Sequence, residues 1–535
     1  MTGQERLDRH LDPGAAGSPV RLLPGLAGSP GHVHLIAGEA CAASARGQLL
    51  IWAVVNLLLR CYGVLDVVTV TCPDALLATR LPRITSRAAP SSLHQALRQV
   101  AEATADPAGD GPRLVISADG ADDKAGTATL LLGTPDPGVL ESIGQRGPAW
   151  VVTAGAWKLA IASPSFLRAR REARLPSLDE PGAVCAAVWL AAALACGEVF
   201  KHAGRIREGR GRLIEAFSVN LWTLTGSDGL SELDGSDGPA NPPRLPAHHV
   251  VGAGAVAEAY LAVLATSEVA TAVALLDDDV LGDTNLNRHI LAGWADLDAP
   301  KAALASERLA GYPAQIFPVQ ARWDRYLSVP PAERPARPAA LIVGEAAGRY
   351  DLVISAVDRN DSRISIAAVH PTVILGGSTL GLQVETGRYR DVGPWQCLAC
   401  GSPAELLPSI EQAAAELADM APAELEAAAR ERGLDPAALR SYLARPQCGT
   451  LGEREVARFA AFTRPDWSVS FVSVASGALL AARALTHATR DDTPQALAQG
   501  DTVRLWLANP AMGRTAHGRD PLCPICGPVA SAVPA

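Results

Sequence analysis

Asp277, Asp279, Asn285, Arg288 and Lys301 stand close together in the chain, just downstream of the turn Gly252-Ala-Gly254-Ala-Val-Ala257. Glycines let a backbone approach a phosphate, a helix starting there offers unpaired N–H groups, and an acid at the end of the next strand takes ribose hydroxyls. A glycine turn by itself is equally an ordinary tight turn, so the residues downstream decide its role. A dinucleotide site needs the acid but has no use for Asn-x-x-Arg and a lysine just beyond it. A triphosphate does, because arginine and lysine neutralise its charge. The pattern points to ATP rather than NAD.

A further acid lies downstream, where Tyr350–Ser355 (YDLVIS) reads as a strand running into Asp358 and Arg363. A carboxylate at a strand's C-terminal edge, facing the glycine turn, is placed to hold a Mg²⁺ on the triphosphate. Aspartate caps helices equally well, and the Mg²⁺ role is the preferred reading. Cysteine supplies a second chemistry. Four of the ten cysteines, Cys397, Cys400, Cys523 and Cys526, form two C-x-x-C pairs. Four thiolates make a closed tetrahedral zinc site, structural rather than catalytic, that would tie the C-terminal tail to its domain; disulfides or redox pairs are the alternative. Cys41, Cys61, Cys72, Cys185 and Cys196 sit in apolar surroundings and read as core. Cys448 is left over, in the Pro/Gly-flanked loop RPQCGTLG.

Positioning these groups requires strands that end along one edge of a sheet. From Leu245 the chain reads as strand, glycine turn and helix (LPAHHVVGAGAVAEAYLAVL), then a second strand, VATAVALL. His34–Val70 repeats the plan with HLIAGEACAAS, QLLIWAVVNLLLR and LDVVTVTCPD. In that copy Gly38-Glu-Ala-Cys41 lacks the second glycine, Glu39 puts negative charge where phosphate should lie, and the strand ends at Cys72 instead of an acid. It reads as a nucleotide-binding fold without the nucleotide.

Arg113–Ile116, Thr127–Leu132 and Trp150–Thr153 extend a parallel sheet, Pro181–Val199 is a buried helix, and Gly226–Pro243 is a linker of turn formers and acids. Later, Thr372–Gly377 and Thr379–Val384 read as strands and Pro403–Leu443 as a helical hairpin. Trp467–Thr486 reads as a strand feeding a small-residue helix, and Asp501–Leu507 as the last strand. The expected class is α/β, with two Rossmann-like folds. Residues 1–30 form an arm, 31–225 the degenerate domain, 226–244 a linker, and 245–535 the active domain with a helical insertion at 403–445.

At 535 residues the chain exceeds one core, and its 48% hydrophobic and 19% charged residues suit a globular protein. A net charge of −9 without a strongly basic stretch speaks against nucleic acid. No uninterrupted apolar segment reaches the roughly 18–20 residues of a membrane span; the nearest, Ala183–Ala195, reads as a buried helix. The opening MTGQERLDRHLDP lacks a secretory core, so a cytoplasmic protein is expected.

The Gly252–Lys301 stretch resembles the superfamily of ubiquitin-activating enzymes and of the sulfur-carrier adenylyltransferases of thiamine and molybdopterin synthesis. The family pattern is G-x-G-x-x-G, D-x-D, S-N-L-x-R-Q and then Lys. Here it reads GAGAVA, Asp277-Asp-Asp279, Thr284-Asn285-Leu-Asn-Arg288-His289 and Lys301, with Ala257 for the third glycine and His289 for the glutamine. The family's T-D-N-x-x-x-R matches Asp358 and Arg363 loosely, with Arg359 for the asparagine. Arg6-Leu-Asp-Arg9-His10, otherwise a solvated arm, is similar to its R-Y-x-R-Q, whose second arginine reaches the ATP phosphates of the other subunit.

The resemblance implies two ThiF-type adenylation folds on one polypeptide, the first degenerate and the second active, either as an intramolecular pseudo-dimer or within a homodimer. Gly252 and Gly254 would approach the phosphates, and Asp277, Asp279 and Asn285 would orient the ribose and neighbouring groups. Arg288, Lys301, Arg9 and the Mg²⁺ on Asp358 would screen charge. It also implies a ubiquitin-like protein with a C-terminal glycine as substrate, thioester formation on Cys448, and a conjugating enzyme as recipient. The helical insertion is a partner-binding surface on this reading. A sulfur-carrier adenylyltransferase is the alternative within the same chemistry, and a non-catalytic scaffold the alternative outside it.

Overall fold

The computed structural model describes residues 31–107, 109, 111–117, 128–135, 137–143, 147–170, 172–204, 212–390, 395–402, 421–431, 436–437, 440, 469–489 and 502–527. Arg9, Cys448 and most of the helical insertion lie outside the described residues; of the insertion, one helix, Pro422–Glu431, is described.

The first half runs β1 (His32–Ala37), α1 (Glu39–Ala43), α2 (Ala45–Leu58), β2 (Val67–Thr71), α3 (Leu93–Thr104), β3 (Arg113–Ser117) and β4 (Ala128–Leu132). It continues with α4 (Pro137–Ser142), β5 (Ala149–Ala154), β6 (Lys158–Ala162), α5 (Pro164–Ala169), α6 (Ala186–Ala203), β7 (Ala216–Asn220) and β8 (Thr225–Asp228). The second half runs β9 (His248–Val251), α7 (Ala255–Thr266), β10 (Thr271–Leu276), α8 (Lys301–Arg308), β11 (Ala314–Val319), α9 (Trp323–Ser328), α10 (Ala339–Ala346) and β12 (Leu352–Ser355). Then come α11 (Asn360–Ala367), β13 (Val373–Leu380), β14 (Gln383–Tyr389), α12 (Pro422–Glu431), α13 (Ser470–Thr489), β15 (Thr502–Trp506) and β16 (Ala511–Thr515).

The two halves share one architecture. Each builds an eight-stranded sheet, in the orders β3-β2-β1-β4-β5-β6-β7-β8 and β11-β10-β9-β12-β13-β14-β15-β16. In both, the first five strands of that order are parallel and the last three antiparallel. Parallel strands bury both faces and so form apolar runs, which makes most of them visible in the sequence. The antiparallel extension is less visible. β6, β7, β8 and β16 carry no clear strand signal, nor does the parallel edge strand β11, and Asp501–Leu507 is not the last strand, since β16 pairs beyond it.

Other expectations shift. β13 runs on through Leu380 and β14 starts at Gln383, so the hairpin turns at Gly381 rather than near Ser378. Trp467–Thr486, expected to open as a strand, is helical from Ser470 onward, its first two residues lying outside the described ones. A run apolar on every side carries neither period and permits both readings. Gly226–Pro243 is not a free linker. Its first residues form β8, and Trp157 Nε1 donates to Pro239 O at 2.9 Å.

Helices α2, α6, α13 and α7 fill the space between the sheets, with α2 on α6, α6 on α13 and α13 on α7. Their buried residues belong to one apolar cluster that draws on both halves. By length and composition α6 and α13 could each cross a membrane, but 89% of each is buried inside the protein, so both are core helices. The five cysteines Cys41, Cys61, Cys72, Cys185 and Cys196 are buried, as expected. Polar ties cross the same interface. Trp189 Nε1 donates to Thr266 Oγ1 at 2.9 Å, and the buried Lys201, paired with Glu198 at 2.5 Å, donates to Leu507 O at 3.0 Å.

Close approach of α13 to α7 rests on Gly477. A Cβ there would stand 2.5 Å from Ala259 Cβ and 2.7 Å from Tyr260 N. Gly477→Val should therefore cost about 1–3 kcal/mol through overpacking, read as a lower denaturation midpoint. An unchanged midpoint would mean the two helices are not packed this tightly.

Candidate active site

β9 ends at Val251, between β10 on one side and β12 on the other. The chain leaves β9 for one neighbour and reaches the other only later, so a crevice opens at the strands' C-terminal ends, the position where open α/β sheets bind ligands. A cleft of about 580 Å³ lies there, lined by Gly252, Gly254, Asp277, Asp279, Arg288, Lys301 and Asp358 among others. Seven of the residues singled out from sequence thus meet at one place.

The glycine turn has a steric cause. Gly252 holds φ +91°, and a Cβ there would lie 2.8 Å from Ala356 O on the strand-end loop of β12. Only glycine fits both demands. Gly254 precedes the first turn of α7, which no side chain caps, and the place its Cβ would take has no atom within 4 Å. Asp277 braces this turn from the end of β10. One of its carboxylate oxygens accepts from Ala253 N at 2.5 Å, the other from Asp279 N at 2.8 Å. Burial pushes its carboxyl above the usual aspartate range, against those hydrogen bonds and nearby Lys301.

Lys301 opens α8 and pairs with exposed Asp279, while its own side chain is 10% exposed. The cation expected for phosphate and an acid expected for ribose therefore hold each other. Arg288 Nη1 donates to Thr284 O at 2.8 Å and to Asn287 Oδ1 at 3.2 Å. Next to it, buried His289 meets Glu258 Oε2 at 2.6 Å, and burial lowers the imidazole's pKa.

Asn285 departs from expectation. Its Oδ1 accepts from Gly282 N at 3.0 Å, closing its own turn, and it is not among the cleft-lining residues. Asp358 is exposed at the cleft and does not cap α11: Arg359 holds the N-cap position, without a side-chain cap. Arg363 braces the loop, donating to Val357 O at 3.0 Å and Asn360 Oδ1 at 2.9 Å.

One wall of the cleft has no counterpart among the sequence expectations. Arg322, Trp323 and Asp324, at the start of α9, line it. They follow β11 (AQIFPV), and with that strand unrecognised they cannot be picked out as strand-end residues. Beneath them Glu345 on α10 is fully buried and bonded to His249 at 2.7 Å, to Arg337 at 2.7 Å, to Arg334 at 2.9 Å and to Tyr326. Burial opposes its charge, but hydrogen bonds from His249, Tyr326 and Arg334 prevail and bring its pKa down to about 2. This anchors α9 and α10 to β9.

In the first half, Glu39 lies exposed in the opening turn of α1, and Cys72 follows β2 where Asp277 follows β10. Burial pushes the Cys72 thiol up to about 11.

The remaining cysteines do meet. The sulfurs of Cys397, Cys400, Cys523 and Cys526 lie within 4.8 Å of one another, with Cys397–Cys400 at 3.7 Å and Cys397–Cys523 at 3.6 Å. Four sulfurs about 2.3 Å from a shared tetrahedral centre stand roughly 3.8 Å apart, so the set is compatible with zinc.

Fold and site define a two-lobed, doubly wound α/β protein with a phosphate-compatible cleft in its second lobe. The ThiF family profile matches residues 247–530, more than half of the sequence, and the chain belongs to the ThiF family. Members of that family are adenylyltransferases, which is the enzyme class the match supports. No curated protein matches the chain. Among solved structures, E. coli MccB is similar over 53% of this chain and 65% of its own, at 16% identity and TM-score 0.34. E. coli MccB with ATP gives 53% and 67%, at 14% identity and TM-score 0.32. E. coli MccB with MccA-N7isoASN gives 53% and 67%, at 14% identity and TM-score 0.33. At those scores the assignment rests on the family match alone.

Metal analysis of the purified chain should find about one zinc per molecule. Cys523→Ser should lose it and melt at lower temperature. A metal-free wild type of equal stability would leave the four thiols without that role.

Proposed function

We propose that the second half adenylates the C-terminal glycine of a ubiquitin-like protein with ATP, and that the acyl group then passes to Cys448 as a thioester and on to a conjugating enzyme. The observation that carries the adenylation step is the meeting of Gly252, Gly254, Asp277, Arg288, Lys301 and Asp358 around one cleft at the sheet's switch point.

A carboxylate attacking the α-phosphorus must approach a polyanion, and positioned cations lower that barrier. Arg288 and Lys301 supply the charge, with Lys301 released from Asp279 as phosphate takes its place. Arg9 is assigned the same task from the first half. Asp358 would hold Mg²⁺, which supplies further charge neutralisation. Asp277 keeps the glycine turn in shape and faces the ribose.

In the first step the carboxylate oxygen bonds to the α-phosphorus and pyrophosphate leaves. In the second the Cys448 thiolate bonds to the acyl carbon and AMP leaves. The first step serves a sulfur-carrier adenylyltransferase equally well. The two readings part at transfer: a modifier leaves on a conjugating enzyme, whereas a sulfur carrier receives sulfur.

Arg288→Ala and Lys301→Ala should each weaken ATP binding by about 10- to 100-fold while leaving adenosine binding unchanged, measured by calorimetry. ATP affinity equal to wild type would remove these residues from the phosphate site. Cys448→Ala should leave pyrophosphate exchange intact and abolish a thiol-reducible adduct with the modifier. A surviving adduct would move the nucleophile elsewhere.

A further inference from the structure

The loop that carries Arg288 is held in part by the other half of the molecule. Asn56, in the last turn of α2, and Arg60, just beyond it, are fully buried. Arg60 Nη1 donates to Leu286 O at 2.6 Å, and Arg60 Nη2 donates to Ala292 O at 2.7 Å. Asn56 Nδ2 donates to Ile290 O at 2.8 Å, and its Oδ1 accepts from Arg60 Nε at 2.9 Å. These three carbonyls flank Arg288 on both sides. From its own half, the loop is met by Glu258, which accepts from Leu291 N and bonds to His289. The fit between the halves is tight here as well, since a Cβ on Gly293 would lie 2.7 Å from Ala103 O at the end of α3.

We infer that Asn56 and Arg60, on the half without the nucleotide-type glycine turn, are positioning residues for Arg288 in the other half. The physical reason is that the acceptors at Leu286, Ile290 and Ala292 have been taken out of water. A shift of the loop would leave buried carbonyls and a buried guanidinium unpaired, at a cost no surface loop bears. The planar fork of one arginine spans two carbonyls that lie six residues apart in the chain, which a lysine ammonium cannot match. The first half thus sets where the phosphate-facing cation sits, in addition to contributing core. This inference rests on the adenylation reading, because Arg288 has a phosphate to meet only there.

The test uses the full-length chain with ATP and adenosine as probes. Arg60→Met should weaken ATP binding by about tenfold, leave adenosine binding unchanged, and add no further loss in an Arg288→Ala background. Arg60→Lys should recover only part of the affinity. If Arg60→Met does not fold, as judged by its melting transition, Asn56→Ala carries the same comparison. ATP affinity equal to wild type, equal losses for ATP and adenosine, or full additivity with Arg288→Ala would overturn the positioning role. Wild-type protein that binds neither probe would instead overturn the adenylation reading beneath it.

Discussion

The structure depends on one shared helical layer. Helices α2, α6, α13 and α7 lie between two sheets, and neither sheet can bury its inner face without them. Gly477 sets how near α13 comes to α7, and α7 is the helix that starts at the glycine turn. The packing of the molecule's centre is therefore coupled directly to the backbone that faces the cleft.

The same coupling gives the duplicated architecture a purpose. Two sheets of identical strand order carry different residues at matching strand ends. The first half keeps the strand–turn–helix form but carries Glu39 in the opening turn of its helix, where the second carries Ala255, and Cys72 where the second carries Asp277. Its side chains also grip the second half. Arg60 and Asn56 hold the Arg288 loop, and Lys201 holds the turn between β15 and β16.

Most of the site is legible in the sequence because its chemistry is local. The acid, the arginine and the lysine come after the glycine turn within a single crossover, so chain order nearly fixes their position in space. Asn285, equally local, stands apart from the cleft lining. A short polar side chain at a turn serves the backbone as readily as a ligand, and here it closes on Gly282 N. The zinc-compatible cluster is legible as ligand pairs, though not the distance the chain must travel to join them. The Trp323 wall is hidden because β11 is an edge strand, partly exposed and interrupted by Pro318, so it lacks the continuous apolar run of its neighbours. Asn56 and Arg60 are invisible altogether. Their role lies in a contact between halves, and no spacing along the chain records it.

If one half of this duplicated fold binds nucleotide while the other serves it, the stoichiometry of binding must show the asymmetry. Equilibrium dialysis of the full-length chain against ATP and Mg²⁺ reads that stoichiometry. Binding should saturate at about one nucleotide per chain, as one intact phosphate-binding turn implies. Saturation at two, or no saturable binding, would contradict the division of labour between the halves.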